Sequence, residues 1–392
     1  MPFAMSAALS RKLDVARIVL VALIVWLHAD TSVLRFRDQT RLLPSTGTVA
    51  LFQHVISQGI GRVAVPLFFA MAGYLFFLGL EPTPLGFRRK ITRRLRSLAP
   101  VYLFWSGIWL VPFFVLSRTT FGGLAFHRPF LEQSSLQVLL YRWLVDPVPS
   151  QLWFLRSLML LVCVSPLIYA AVRRWGAWPL AMVAAVWLMP YDVPVVQTRS
   201  ILFFGLGAYL AVHHPDALER RVRLAAWLAI PWVALVILKV LIEARAGRSL
   251  DQALTVTVLL GVPAVWFLID ALPERWMERL RWAGRYSFFV SLAHEPIQGG
   301  VLKVSTRVLG PDQWVDAVVF MGAPTVVMTA LLATAVLLER VHPSALAFLT
   351  GGRGARIRRM VPESGAGRAV PDRPGAATLE CDPRLPSGDL SQ

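Results

Sequence analysis

The chain has 392 residues, 56% of them apolar and 16% charged, with a net charge of +17. A soluble domain carries roughly 25% charged and 45–50% apolar residues, so these values exclude an ordinary soluble enzyme, and equally a disordered, collagenous or disulfide-stapled chain. Two cysteines support neither a disulfide framework nor a CxxC-type metal site, and Lys and Arg fall in short clusters between long apolar runs, a membrane pattern rather than a nucleic-acid one.

Apolar runs of roughly spanning length follow one another at about 15–33, 62–80, 98–116, 153–172, 176–190, 200–213, 224–242, 252–271, 286–303 and 317–338. They predict an all-α, polytopic transmembrane helix bundle of about ten spans. In the first run, Asp14 and Arg17 stand at i and i+3 on one helical face, as a local ion pair requires. From Arg17 to His28 the helix rises about 16 Å, so with Arg17 at the inner edge His28 lies past the midplane. Arg17 has two readings: an inner anchor snorkelling to headgroups, or a functional cation. His28 is read as a general base for a hydroxyl, since an ordinary histidine titrates near pH 6.5. Its alternative is a buried neutral histidine hydrogen-bonded to a neighbouring helix. The stretch from Ile18 to Leu27 also has the length of a signal-peptide core, but Asp14 and Arg17 intrude and no A-x-A site follows. An uncleaved first span is expected.

Setting the N-terminus in the cytoplasm places more than twice as many Lys and Arg inside as outside, which favours an N-in, C-in arrangement. The densest inner cluster is Arg88, Arg89, Lys90, Arg93, Arg94 and Arg96. Arg89, Arg93 and Arg96 have i, i+4, i+7 spacing, so a helix sets them on one face. Arginine forks match phosphate; the competing explanation is a positive-inside determinant that meets anionic lipid.

On the outer side Arg62, Arg156 and Arg199 each stand near the start of an inward-running span. With His28 and Trp153 they would line a cup suited to a sugar or its anionic carrier, although an interface belt explains most of the 14 Trp. His294 and Glu295 lie mid-span and point about 100° apart. Only one faces the cavity, and His294 is favoured, with a structural hydrogen bond as its alternative. After Thr350 the chain turns to Gly, Pro, Arg, Ser and Asp. A membrane domain over 1–345 and a disordered cytoplasmic tail over 346–392 are expected, with no appended soluble catalytic module.

Five segments carry a family resemblance. Arg11…Asp14…Arg17…His28 opens the chain, and Gly61-Arg62-Val63-Ala64-Val65-Pro66-Leu67-Phe68-Phe69 leads to Ala72-Gly73-Tyr74-Leu75. Arg93-Arg94-Leu95-Arg96-Ser97-Leu98-Ala99-Pro100-Val101-Tyr102, Gln151-Leu152-Trp153-Phe154-Leu155-Arg156 and Ser291-Leu292-Ala293-His294-Glu295-Pro296 follow in order. Together they resemble acyltransferase family 3, integral membrane acyltransferases of the O-acetyltransferase type; Ala72 stands where that family usually has Ser. The resemblance implies transfer of an acyl group, acetyl or succinyl in first place, from cytoplasmic acyl-CoA to a hydroxyl of a cell-envelope or exported carbohydrate or glycolipid. It ties Arg17 and His28, with Asp14 beside them, to catalysis. It ties Arg88, Arg89, Arg93, Arg94 and Arg96 to the acyl donor, and leaves Arg62, Trp153, Arg156, Arg199 and His294 for the acceptor. Acyl-CoA is then a co-substrate, with no bound cofactor or metal, in a bacterial plasma membrane. The alternative is a transporter or flippase of a lipid-linked glycan, against which no Pro/Gly-interrupted segments recur in corresponding halves.

Overall fold

The computed structural model describes residues 5–30, 33–35, 40–42, 47–119, 135–189, 196–219, 227–246, 250–310 and 312–352. The expected tail from residue 353 onward, and the inner Arg220, Arg221 and Arg223, lie outside them. Ser6 opens α1 (Ala7–Leu27) by accepting from the Leu9 amide. A two-stranded antiparallel hairpin, β1 (Val33–Arg35) and β2 (Thr40–Leu42), follows. Next come α2 (Thr48–His54), a π-helical turn (Val55–Gly59), a 3-10 turn (Ile60–Val63) and α3 (Ala64–Phe77). Thr83 caps α4 (Pro84–Ser117) through the Gly86 amide, and Ser135 caps α5 (Leu136–Leu144) through that of Val138. The chain continues as α6 (Trp153–Cys163), α7 (Ser165–Trp175), α8 (Trp178–Leu188), α9 (Thr198–His213), α10 (Ala229–Ala246) and α11 (Asp251–Asp270). Then follow α12 (Glu274–Gly284), α13 (Ser287–Leu309), α14 (Gln313–Val341) and α15 (Pro343–Leu349).

The fold is an all-α bundle, and each apolar run of the sequence falls on a helix or a bent helix pair. Among the described residues, four helices are long and apolar enough to cross a membrane alone: Thr48–Phe77, Pro84–Leu116, Ala253–Asp270 and Gln313–Val341. A fifth candidate is the pair Ser150–Cys163 and Ser165–Trp175, bent by 63°. The sequence reading differs from this in three places. The second span starts upstream, at Thr48, so part of the expected outer loop 34–61 is helix. The span expected at 153–172 breaks at Val164, because Pro166 brings no amide hydrogen to continue the ladder. The boundary expected at residue 345 falls inside α15, which packs on α4: the Trp105 indole donates to the Leu349 carbonyl at 3.1 Å.

The first helix is the axis of the bundle. Val15, Ala16 and Leu20 join one buried cluster with α3, α9 and α11, while Val21 and Val25 join a second with α4, α13 and α14. A helix apolar on all sides is driven inward in this way. Its N-terminal end is pinned by Lys12, whose Nζ meets Asp270 at 2.7 Å and lies 4.0 Å from the Trp266 ring centroid, both charges almost fully buried. Outward, Leu167, Trp178, Met182, Val318 and Val326 expose large apolar side chains, a surface that hydrocarbon covers.

Helices α3 and α9 meet backbone to backbone. A Cβ on Gly73 would strike the Phe204 carbonyl, and one on Gly207 would strike the Ala70 carbonyl and Tyr74 amide. Membrane helices use small residues for such approaches. Gly207→Leu is therefore expected to destabilise the bundle by about 3 kcal/mol, at the upper end of overpacking costs. Membrane abundance and detergent melting temperature equal to wild type would contradict it.

Candidate active site

Helix α1 ends at Leu27, and His28 is its C-cap, half-buried. The His294 ring of α13 lies 5.6 Å from it, centroid to centroid. His294 is fully buried. Its Nδ1 faces the carbonyl oxygens of Ser291 at 2.9 Å and Val290 at 3.2 Å. Carbonyls only accept, so the proton sits on Nδ1, and Nε2, which meets no protein donor, carries an open lone pair. Two amides fix α13 here. Gln298 donates to the Val25 carbonyl of α1, and Gln151 donates to the Leu292 carbonyl, each at 2.8 Å. Glu295 points elsewhere, accepting from the amide and hydroxyl of Ser150 at 3.2 and 3.4 Å, as the turn between successive helical residues requires.

Arg62, in the 3-10 turn before α3, is a cation whose charge reaches His28; Gly61 beside it packs against Leu27 at the end of α1. Arg62 Nε donates to Gln58 Oε1 at 2.9 Å. The structure thus assembles His28, His294 and Arg62 from three distant stretches of chain. Arg17 does not join them. It pairs with Asp14 at 2.6 Å near the middle of α1, about 16 Å of helical rise from His28. Gly284 lets α12 press on the Asp14 backbone, and Arg281 on that helix adds a second positive charge beside Asp14.

The acceptor cup read from the sequence separates into parts. His294 lies buried against His28 rather than on an open wall, because its own backbone carbonyls and α1 enclose it. Trp153 and Arg199 form a cation–π pair at 5.6 Å, with Arg199 Nε donating to Gln197 at 2.6 Å. Arg156 donates to the Val145 carbonyl, a bond that holds the segment after α5.

In the first half of α4 Arg88, Arg89, Arg93 and Arg96 line a groove of about 710 Å³, closed on the other side by Ala347, Phe348, Gly351 and Gly352. All four arginines are exposed, whereas Arg94 is half-buried and not part of the lining. Lys90 turns the other way and donates to the carbonyls of Phe76 and Leu78, both at 2.8 Å, closing the end of α3. Gly351, with φ 63°, lies so close to the Ser97 carbonyl that a side chain there would collide with it. The groove ends at Pro100 and Val101, and Val101 belongs to the buried cluster that includes Val25, Leu292 and Ala293. Val101 of the groove and the residues next to His294 thus belong to one buried cluster.

Sequence reasoning missed Gln298, Gln151, Gln58 and Asp30. Gln298 follows His294 by four residues and Arg62 follows Gln58 by four, spacings that share a helical face. Polar residues so placed in apolar runs were the available signal.

The family model for this acyltransferase domain matches residues 10–338. Over 372 residues the chain is 26% identical to the succinoglycan biosynthesis protein ExoH of Rhizobium meliloti (strain 1021), spanning 92% of this chain and 98% of that protein. No solved structure matches. The family model covers the stretch that holds the histidine pair, Arg62 and the arginine groove, and the chain belongs to acyltransferase family 3 as a membrane-embedded O-acyltransferase.

Proposed function

We propose that the protein moves an acyl group, acetyl or succinyl in first place, from cytoplasmic acyl-CoA to a hydroxyl of an exported polysaccharide or its lipid-linked precursor. The observation that carries this reading is the His28–His294 pair at 5.6 Å with Arg62 beside it. The kinship with a succinoglycan biosynthesis protein supports a polysaccharide acceptor. The exposed arginines of the inner groove suit the phosphates of coenzyme A. The thioester arm follows the wall from Val101 towards His294.

In the reaction the acceptor oxygen attacks the thioester carbonyl carbon. A C–O bond forms, the C–S bond breaks, and the departing thiolate takes up a proton. Burial divides the roles of the histidines. His28, only partly enclosed where His294 is wholly so, meets the acceptor and removes its hydroxyl proton. His294, enclosed and locked as the Nδ1–H tautomer, orients the His28 ring. Arg62 faces the negative charge that develops on the carbonyl oxygen. Trp153 and Arg199 offer a platform and a donor for the sugar. Arg17, held by Asp14 half-way along α1, serves the donor side, with both termini in the cytoplasm and the chain in a bacterial plasma membrane.

Mass spectrometry of envelope and exported glycans from a strain lacking this chain tests the reading. Loss of one ester class, restored by the wild-type chain, is the expected result. Unchanged esters overturn it, as does unmodified glycan trapped inside the cell.

A further inference from the structure

The π-helical turn at Val55–Gly59 interrupts a run that is otherwise continuous helix from Thr48 to Phe77. Single π turns within longer helices are rare and concentrate at functional sites, because the extra residue re-aims the side chains around it. Here two residues of the turn, Ser57 and Gln58, reach the same carboxylate oxygen of Asp30, each at 3.2 Å. Asp30 stands two residues beyond His28. The Ser57 proton is shared with the Gln53 carbonyl at 2.6 Å, so the amide of Gln58 is the firmer partner of Asp30.

Both ends of that amide are committed. Its Nε2 donates to Asp30, and its Oε1 accepts from Arg62 Nε at 2.9 Å and also from Arg62 Nη2. Reversing the amide would set its NH₂ against a guanidinium, which has no acceptor, and its oxygen against a carboxylate, which has no donor. The orientation is therefore fixed by its neighbours. Two donors of one planar guanidinium on a single oxygen restrain the guanidinium as well.

We infer that Asp30 and Gln58 are positioning residues, which hold the Arg62 guanidinium at His28 so that it faces the charge developing on the acyl carbonyl. The inference rests on the reading of His28 and Arg62 as the acyl-transfer site. Asp30 and Gln58 act through Arg62 and touch no substrate themselves. A merely structural tie between the end of α1 and the start of α3 would lower stability; positioning lowers the rate, and only while Arg62 is present.

A double-mutant cycle on the full-length purified protein separates the two, using the acyl-CoA whose ester is identified in the glycan. Arg62→Ala is expected to lower kcat roughly 100-fold, the scale of a lost oxyanion donor. Gln58→Ala lowers kcat roughly 10-fold, with KM for acyl-CoA and melting temperature unchanged. Added to Arg62→Ala, it costs nothing more, because coupled residues are not additive. Asp30→Ala behaves as Gln58→Ala. Asp30→Asn, whose side-chain oxygen still accepts from the Gln58 amide, recovers to within about threefold of wild type. Wild-type kcat in Gln58→Ala overturns the inference, as does an equal cost in the Arg62→Ala background. Should Gln58→Ala fail to accumulate, Gln58→Met keeps the volume, loses both bonds and is read in the same way. Full activity in His28→Ala would instead defeat the underlying site assignment, a separate outcome.

Discussion

His28→Ala lowers acyl transfer by roughly 10²–10⁴-fold, the contribution of a placed general base, while the protein remains inserted and abundant. His28 is the C-cap of α1 and belongs to neither buried apolar cluster, so its loss leaves the apolar packing of the bundle in place. The loss is expected in kcat rather than in KM for the donor. His294→Ala is expected to fall nearly as far in rate for a different reason. It removes the ring that lies 5.6 Å from His28 and opens a cavity in a wholly buried position, so melting temperature falls with it. His294→Gln, which retains much of the volume, should restore stability more than rate. Full ester content in cells carrying His28→Ala, read by mass spectrometry of the glycan, would sink the assignment.

The triple change Arg89→Ala, Arg93→Ala and Arg96→Ala raises KM for acyl-CoA by roughly 10- to 100-fold and leaves kcat at saturating donor nearly intact. Exposed ionic contacts are worth up to about 1 kcal/mol each, and each 1.4 kcal/mol is a factor of ten. These three arginines lie exposed on one wall of the groove, so their loss leaves the core untouched. Added salt screens such contacts, and the wild-type KM should climb with ionic strength more steeply than that of the variant. Lys90→Ala is the control. Lys90 is occupied by the Phe76 and Leu78 carbonyls, so its removal lowers stability without moving KM. An unchanged KM in the triple variant would leave the groove as a positive-inside determinant.

Much of the fold was legible because its signals are local. Long apolar runs satisfy their own backbone hydrogen bonds as helices in hydrocarbon whatever surrounds them, and among the described residues the apolar runs are helical, four or five of them long enough to cross a membrane. Asp14 and Arg17 pair across one turn, as their spacing requires. Arg89, Arg93 and Arg96 share a face for the same reason. The features that escaped the reading are those in which a second segment intervenes. Lys90 lies in the same basic cluster as the groove arginines, yet the end of α3 captures it. Arg156 donates to the carbonyl of Val145, a partner from another segment that its own spacing does not name. The helical break at Val164 depends on a proline whose consequence is a 63° bend rather than an ended span.

The sequence by itself determined the all-α character, the clustering of arginines on one face of α4 and the family, because composition, helical spacing and ordered motifs need no partner. Only the tertiary structure decided that His28 meets His294, that Arg62 joins them, and that Arg17 stays with Asp14 half-way along α1. Residues 266 positions apart come together because α1 and α13 bury apolar faces against each other. A Gln298 amide then satisfies a carbonyl on α1. Such pairings are chosen by the packing of whole helices, and no local spacing encodes them.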